Sequence, residues 1–251
     1  NEMAGYPPSF HLLNATMSGS PSLVTFLEKA TKQGIFDVTH GQYLRTIVSE
    51  DSDLEVLKHF IAIGGNINVE LEPLRSNDPS QTIFTVLCQQ KSANNVAKLD
   101  YLLSLPELDI NKKDSHGYSP LFRCNNESKI KIMTRKDLDI NSQISGSGEN
   151  IISYLTTQGI LRHSRNSDRN PIFTEVFDLI KDHPDFTIES VNVDGDTVLH
   201  TAMKDSYGRF SEESLFVELV KSGKIDINQR NSKGFTALHY AALSMNRFSL
   251  E

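Results

Sequence analysis

The chain has 251 residues, 38% of them hydrophobic, which is enough to bury a core and argues against a wholly disordered protein. Its 32 Asp and Glu residues outnumber 25 Lys and Arg residues, so the formal net charge is -7. This balance argues against a protein that binds nucleic acid by neutralising phosphates. No apolar run reaches the roughly 18 residues that a membrane-spanning helix needs. Two cysteines cannot build a disulfide framework, which favours a reducing compartment, here the cytoplasm.

Two copies of one octapeptide pattern stand near the carboxyl end. The segment 195–202, GDTVLHTA, recurs as 234–241, GFTALHYA, and the two Leu-His pairs lie 39 residues apart. A second marker, Asp/Asn-Ile-Asn, begins at Asn66, Asp109, Asp139 and Asp226. Two markers that alternate along the chain indicate a protein built from repeats.

Positions equivalent to the leucine of Leu-His are called anchors here, and they recur at intervals of 31 to 47 residues. In three repeats the isoleucine at the marker position lies 11 residues before the anchor: Ile110 before Leu121, Ile188 before Leu199 and Ile227 before Leu238. A constant short spacing beside a variable long one predicts a fixed turn followed by a helical half of variable length. The seven anchors are Phe10, Leu44, Phe84, Leu121, Ile152, Leu199 and Leu238.

Local patterns predict the turn and the helices of each repeat. A glycine such as Gly117 supplies the positive φ of a tight turn, and a following Ser or Thr caps a helix. After Asn170-Pro171, the apolar residues Phe173, Val176, Phe177 and Ile180 keep helical spacing. Each repeat is therefore predicted to be turn, helix, helix. One such helix pair cannot bury its own apolar face, so neighbouring repeats must stack.

The two octapeptides resemble the Gly-x-Thr-x-Leu-His-x-Ala signature of ankyrin repeats, and Ser119-Pro120-Leu121 is similar to the Thr-Pro-Leu segment of that family. The resemblance implies an all-α repeat solenoid of about seven degenerate repeats across residues 1–251. It also implies that His200 and His239 staple adjacent turns and have no catalytic role. The irregular repeat lengths resemble those of ankyrin proteins that intracellular bacteria deliver into the host cytosol.

Several repeats depart from the expected helical half of roughly 22 residues. Repeat four has only 19 residues between Leu121 and Ile140, which predicts a truncated second helix. The surplus of repeat five is assigned to Gly159–Asn170, smaller insertions to Gln90–Asn95 and Asp205–Ser211, and a surface loop to Val69–Ser80. Such insertions either mark a binding edge or are tolerated because loop-closure entropy grows slowly. The loop of repeat five is basic and contains Arg162, His163, Arg165 and Arg169.

No sequence motif for a metal, a nucleotide phosphate or a catalytic nucleophile occurs in the chain. Cys88 and Cys124 follow anchors closely, which favours burial as small apolar residues. We therefore expect no cofactor, no metal and no enzymatic activity within this chain. A basic run, which either contacts phosphate or forms the solvated side of a short helix, contains Lys129, Lys131, Arg135 and Lys136.

In ankyrin proteins the turn tips and the exposed ends of the first helices line a concave face that binds partners. Tyr118 and Phe235 would be exposed aromatics beside acidic residues, which suits a protein or peptide with basic and apolar groups. The tips implied by the resemblance are Ser115, His116, Tyr118, Ser147, Glu149, Asp194, Asp196, Lys233 and Phe235. The implied helix-end positions are Asn126, Glu127, Lys204, Asp205 and Ser244.

The expected function is protein–protein interaction by a monomer that performs no chemistry and binds neither nucleic acid nor membrane. The alternative is a targeting arm of an enzyme, for example a bacterial effector, whose catalytic domain lies outside this chain. Repeat seven has only 13 residues after its anchor Leu238. Its apolar face is therefore expected to be uncapped, and more sequence is expected to follow.

Overall fold

The structure is a computed structural model that describes residues 49, 52, 54–62, 64–73, 75–162, 175, 176, 178–180, 182–205, 220, 221 and 223–248. The anchors Phe10 and Leu44 lie outside the described residues. The chain divides into two compact units, called here the first body (residues 1–116 and 123–128) and the second body (residues 117–122 and 129–251). Each body is described separately below.

The first body is built from three helices and two short strands. Helix α1 covers Leu54–Ala62, α2 covers Ile83–Gln89 and α3 covers Ala93–Leu103. Both α1 and α2 pack against α3. Side-chain hydroxyls cap the last two helices, because Thr82 accepts from the N–H of Thr85 and Ser92 accepts from the N–H of Asn95.

The stretch 69–80, expected to be a plain surface loop, begins and ends in paired backbone. Strand β1 (Glu70–Leu71) pairs antiparallel with β2 (Gln81–Thr82). Leu71 is fully buried, so the strand pair is fixed by an apolar contact as well as by its hydrogen bonds. The turn of repeat three is thus an extended β-hairpin, and Gln90–Ser92 alone connects α2 to α3 where a longer insertion was expected.

Two short helices belong to repeat four, and longer ones follow in the second body. Helix α4 covers Pro120–Arg123 and α5 covers Asn126–Ile132, which confirms the predicted truncation. Helix α6 covers Ile151–Arg162, α7 covers Val198–Asp205 and α8 covers Ala237–Phe248. Helix α7 packs against both α6 and α8, as stacked first helices should.

Four of the predicted anchors lie in the core. Phe84, Leu121, Ile152 and Leu199 are each at most 1% exposed. Cys88 and Cys124 are also buried, as expected, and the two do not form a disulfide. Leu238 differs, because its side chain is 76% exposed.

Asparagine side chains join one repeat to the next. In each Asp/Asn-Ile-Asn marker, the first side chain accepts a hydrogen bond from the N–H two residues on. In two of these markers, the last residue also bonds to the following repeat. Asn68 donates to the carbonyl of Glu107 and accepts from the N–H of Asp109, and Asn141 contacts Asp185 and Thr187 in the same way.

We expect Asn141→Ala to lower the free energy of unfolding by about 1–2 kcal/mol, because two inter-repeat hydrogen bonds of 2.6 and 2.7 Å are lost. Asn228 is the matched control. It ends an equivalent marker, but its side chain makes no hydrogen bond among the described residues, so Asn228→Ala should change stability little. Urea denaturation of both variants is the measurement, and equal losses would contradict the cross-link.

Glycine is required in the hairpins by backbone conformation and by closeness to the next hairpin. Gly195 has φ +74°, and a Cβ there would lie 2.9 Å from the backbone nitrogen of Ser232. Gly234 has φ +77°, but a Cβ there would have nothing within 4 Å. The two positions therefore share the conformational requirement and differ in crowding.

Alanine substitution should separate these two requirements. Gly234→Ala should cost about 1 kcal/mol, the penalty of a left-handed conformation. Gly195→Ala should cost about 1–3 kcal/mol more, because the Cβ overlaps the next hairpin. Thermal and urea unfolding of the two variants would contradict this account if Gly234→Ala proved the more damaging.

Candidate partner-binding surface

Consecutive hairpins of the second body are joined edge to edge by backbone hydrogen bonds. The N–H of Ser145 donates to the carbonyl of Gly117, that of Val193 to Ser147, and that of Ser232 to Asp194, each at 3.0 Å. In the first body, the N–H of Ser80 donates to the Ser115 hydroxyl at 3.0 Å. The hairpins of the second body therefore form a continuous row, called here the hairpin row.

Asparagines fix the backbone within two of these hairpins. The side-chain oxygen of Asn192 accepts from the N–H groups of Asp194 and Asp196, and that of Asn231 accepts from Lys233 and Phe235. Each tip is therefore held by two side-chain bonds in addition to the bonds between hairpins. Sequence reasoning did not single out these asparagines, although both stand three residues before the hairpin glycine.

The predicted histidine staple is present in repeat six. The Thr197 N–H donates to Nδ1 of His200 at 3.1 Å, so Nδ1 is an acceptor and the proton of the neutral ring is on Nε2. Nε2 then donates to the carbonyl of Phe235 in the next hairpin at 2.9 Å. With 1% of its surface exposed, His200 is a structural residue.

The predicted tip residue Tyr118 lies in an aromatic cluster. Its ring contacts Phe122 and Tyr154 edge-on, with centroid distances of 6.2 and 6.1 Å, and those two rings are 5.4 Å apart. The side chain is half-buried. Edge-to-face contacts of this kind stabilise packing. Tyr118 was expected to be an exposed aromatic residue, but its ring joins two repeats instead.

Asp196 was also expected at an exposed tip, and its burial corrects that expectation. The side chain is 2% exposed and accepts a 2.6 Å hydrogen bond from Nδ2 of Asn231. Nζ of Lys204 lies 3.7 Å from its second oxygen. The carboxylate therefore holds the next hairpin and faces the interior, and its neighbour Asp194 is the exposed acid of this tip.

The remaining predicted positions fall into three groups. His116, Asp194, Lys233 and Glu127 are exposed; Ser115, also exposed, is bonded to Ser80. The half-buried positions are Asn126, Ser147 and Glu149. Lys204 belongs to the exposed group, and its Nζ lies 5.8 Å from the centroid of the Tyr240 ring. The side chains of Arg162, Asp205 and Ser244 and the whole of His163, Arg165 and Arg169 lie outside the described residues.

Phe235 is 37% exposed and is held by neighbouring rings. It stacks on His239 with the ring planes 9° apart and meets Tyr240 edge-on. An apolar tip residue that sequence reasoning missed is Val193, at 69% exposure. The signal was its place two residues before the hairpin glycine, where the other two regular hairpins of repeats four and seven have serine.

The basic run after α4 is divided among different environments. Lys129 is buried, whereas Lys136 is exposed. Arg135 donates to both carboxylate oxygens of Asp137 at 2.8 and 2.6 Å. These hydrogen bonds lower the pKa of Asp137 and raise that of Arg135. The run therefore presents no continuous set of free cations for a phosphate.

The described residues contain no group of three or more His, Cys, Asp and Glu side chains placed to hold a metal ion. Among those residues, no helix is both long and apolar enough to cross a membrane.

No protein-family model matches the sequence, and no curated protein does. Among solved structures, the ankyrin repeat domain of Bcl-3, a member of the IkappaB protein family, is similar with a TM-score of 0.62 and 16% identity, over 96% of this chain and 95% of that one. An ankyrin repeat domain from Acinetobacter baumannii AYE gives a TM-score of 0.58 and 18% identity, over 81% and 92%. The chain thus has the ankyrin-repeat fold, an all-α repeat solenoid. Ankyrin repeat domains are generally protein–protein interaction modules.

A pair of neighbouring acids tests the division between structural and exposed tip residues. Asp196→Ala should lower the free energy of unfolding by about 1–3 kcal/mol, because the buried Nδ2 of Asn231 loses a charged partner. Asp194→Ala removes an exposed carboxylate with no side-chain partner among the described residues and should change it by less than about 0.5 kcal/mol. Urea unfolding measures the stability of both variants. If only Asp194→Ala lowered the free energy of unfolding, Asp194 would be the structural residue and this account would be wrong.

Proposed function

We propose that the chain binds a partner protein through the tips of its hairpins and the exposed ends of its first helices. The observation that supports the proposal is that hydrogen bonds fix the tip backbone at several points, while three of the exposed tip side chains are not used in those bonds. Among the described residues, the side chains of Val193, Asp194 and Lys233 make no hydrogen bond or ion pair, although the N–H groups of all three are hydrogen-bonded.

A surface of this kind suits recognition for an entropic reason. Binding costs free energy when loops must be ordered, and a backbone already fixed in the free protein avoids much of that cost. The N–H groups of Val193 and Ser232 bond to the preceding hairpins, and Asn192 and Asn231 fix the tips from within. Partner contacts would then fall on side chains whose positions are set beforehand.

The chemistry of the exposed tips favours a mixed partner surface. Val193 offers apolar area, Asp194 a negative charge and Lys233 a positive one, all on neighbouring hairpins of the second body. A partner segment with an apolar residue between charges of opposite sign would match them. Phe235 adds partly exposed aromatic area, of the type enriched at protein interfaces.

Two more specific roles would use the same hairpin tips. As a targeting arm of an enzyme, or as an effector of an intracellular bacterium acting in the host cytosol, the chain would hold its target through these tips. Two buried cysteines that form no disulfide are compatible with a reducing compartment such as the cytosol. The proposal treats the chain as a monomer in either case, with a protein or peptide as its partner.

The test compares partner capture by two triple variants of the full chain. The tip variant carries Val193→Ser, Asp194→Asn and Lys233→Ser. Its control carries Leu179→Ser, Asp182→Asn and Lys136→Ser, exposed residues from the second-helix halves of their repeats. Both change one apolar, one acidic and one basic side chain, so any general effect of composition is matched. His116→Ala is measured separately, because His116 belongs to the first body.

Affinity capture from cell lysate with quantitative mass spectrometry should recover a partner with both the parent and the control. With the tip variant, the recovered amount of that partner should fall at least tenfold. Circular dichroism and thermal unfolding should be alike for all three proteins. If tip variant and control recover the same partners in the same amounts, the hairpin tips are not the binding surface.

A further inference from the structure

The two cysteines of the chain lie on either side of one backbone hydrogen bond. Cys88 stands near the end of α2, and Cys124 directly follows α4. The N–H of Asn125 donates to the carbonyl of Cys88 at 3.0 Å, so only one carbonyl, one hydrogen bond and one peptide unit separate the two cysteine Cα atoms. This separation is compatible with the roughly 4.4–6.8 Å between Cα atoms that a disulfide requires.

The side chain of Asn125 holds the two backbone segments in this register. Its Nδ2 donates to the carbonyl of Gln90 at 3.1 Å, and its Oδ1 accepts from the N–H of Ser128 in α5 at 2.9 Å. The segment that carries Cys124 is therefore tied to the end of α2 at two points, the carbonyls of residues 88 and 90. All of these residues belong to the first body. The backbone placement that a disulfide needs is thus present before any oxidation.

Both thiols are buried, which decides the kind of reagent that can reach them. Bulky thiol reagents are excluded, whereas a small oxidant such as hydrogen peroxide needs only a brief local opening of the chain. Cys124 and Asn125 connect α4 and α5, helices of four and seven residues. Helices this short are marginal by themselves, so the segment between them opens at a low cost in free energy.

We propose that hydrogen peroxide converts Cys88 and Cys124 into a disulfide that locks repeat three to repeat four. The sulfur of one cysteine first attacks the peroxide: an S–O bond forms, the O–O bond breaks, and a sulfenic acid and water result. The sulfur of the other cysteine then attacks the sulfenic sulfur. An S–S bond forms, the S–O bond breaks, and the departing hydroxide takes up the thiol proton as a second water. Two molecules of a small thiol reductant reverse the reaction by thiol–disulfide exchange.

The consequence of the cross-link is a more stable joint at the shortened repeat. Linking residues 88 and 124 closes a loop in the unfolded chain and removes part of its conformational entropy. Repeat four gains most, because its second helix is truncated. A link between two copies of the chain is disfavoured, since both thiols face the interior of one body. The hairpin tips use neither cysteine, so this inference and the proposed function can fail independently.

The test treats the folded full chain with hydrogen peroxide at neutral pH, then denatures it in iodoacetamide and digests it with trypsin. Mass spectrometry should find the peptides of Cys88 and Cys124 linked to each other, with neither thiol alkylated. The midpoint of thermal unfolding should rise by about 5–10 °C and return after dithiothreitol. Cys88→Ala and Cys124→Ala are the matched controls, because each keeps one thiol and should show no rise that dithiothreitol reverses.

The peptide analysis of the parent decides the matter even if neither variant folds. Two alkylated cysteines after peroxide treatment of the folded chain would overturn the proposal, and so would disulfide-linked dimers. A link that forms only at urea concentrations that unfold the chain would also overturn it, because the native placement of the two cysteines would then have no part in the reaction.

Discussion

The hydrogen bond from one hairpin to the next is the interaction on which the rest of this fold depends. A turn and two short helices cannot satisfy their own backbone groups or bury their own apolar face. Here the missing partners come from the following repeat, as when Nε2 of His200 donates to the Phe235 carbonyl and Asn141 bridges Asp185 and Thr187. Positive-φ glycines such as Gly195 allow the hairpins to approach closely enough for these bonds.

The joints are built from different chemistry at different repeats. Repeat six uses Thr197 and His200, whereas repeat four has Ser119 and Phe122 at the same positions. The Ser119 hydroxyl is buried and has no hydrogen-bond partner among the described residues. There the joint relies on the edge-to-face contacts of Tyr118 and Phe122 with Tyr154 of repeat five. The array therefore tolerates loss of the histidine staple where aromatic area replaces it.

The sequence predicted the parts of the structure that depend on local spacing. Anchors such as Leu121 and Leu199 are buried as expected, and the staple of His200 is present, because both follow from the period of the repeat. Contacts between repeats were less predictable. Asp196 faces inward because Asn231, 35 residues later, donates to it, and counting from the hairpin glycine cannot reveal that.

The same limit applied to the candidate surface. Spacing located the hairpin tips, but it did not separate Tyr118, which packs on Tyr154, from residues that are free to bind. Nor did it identify Val193, which stands where other hairpins have serine and is among the most exposed apolar residues described. The strand pair of Glu70–Leu71 and Gln81–Thr82 was missed because each strand is only two residues long. In such cases the outcome is decided by neighbours distant in sequence.

The central claim is that the hairpin row is rigid before any partner binds, and native-state hydrogen exchange at single-residue resolution tests it most directly. The amides of Val193 and Ser232, which bond to the preceding hairpins, should exchange as slowly as the core amides of α7. Exchange near the rate of an unstructured peptide at these two amides, with α7 still protected, would contradict the account.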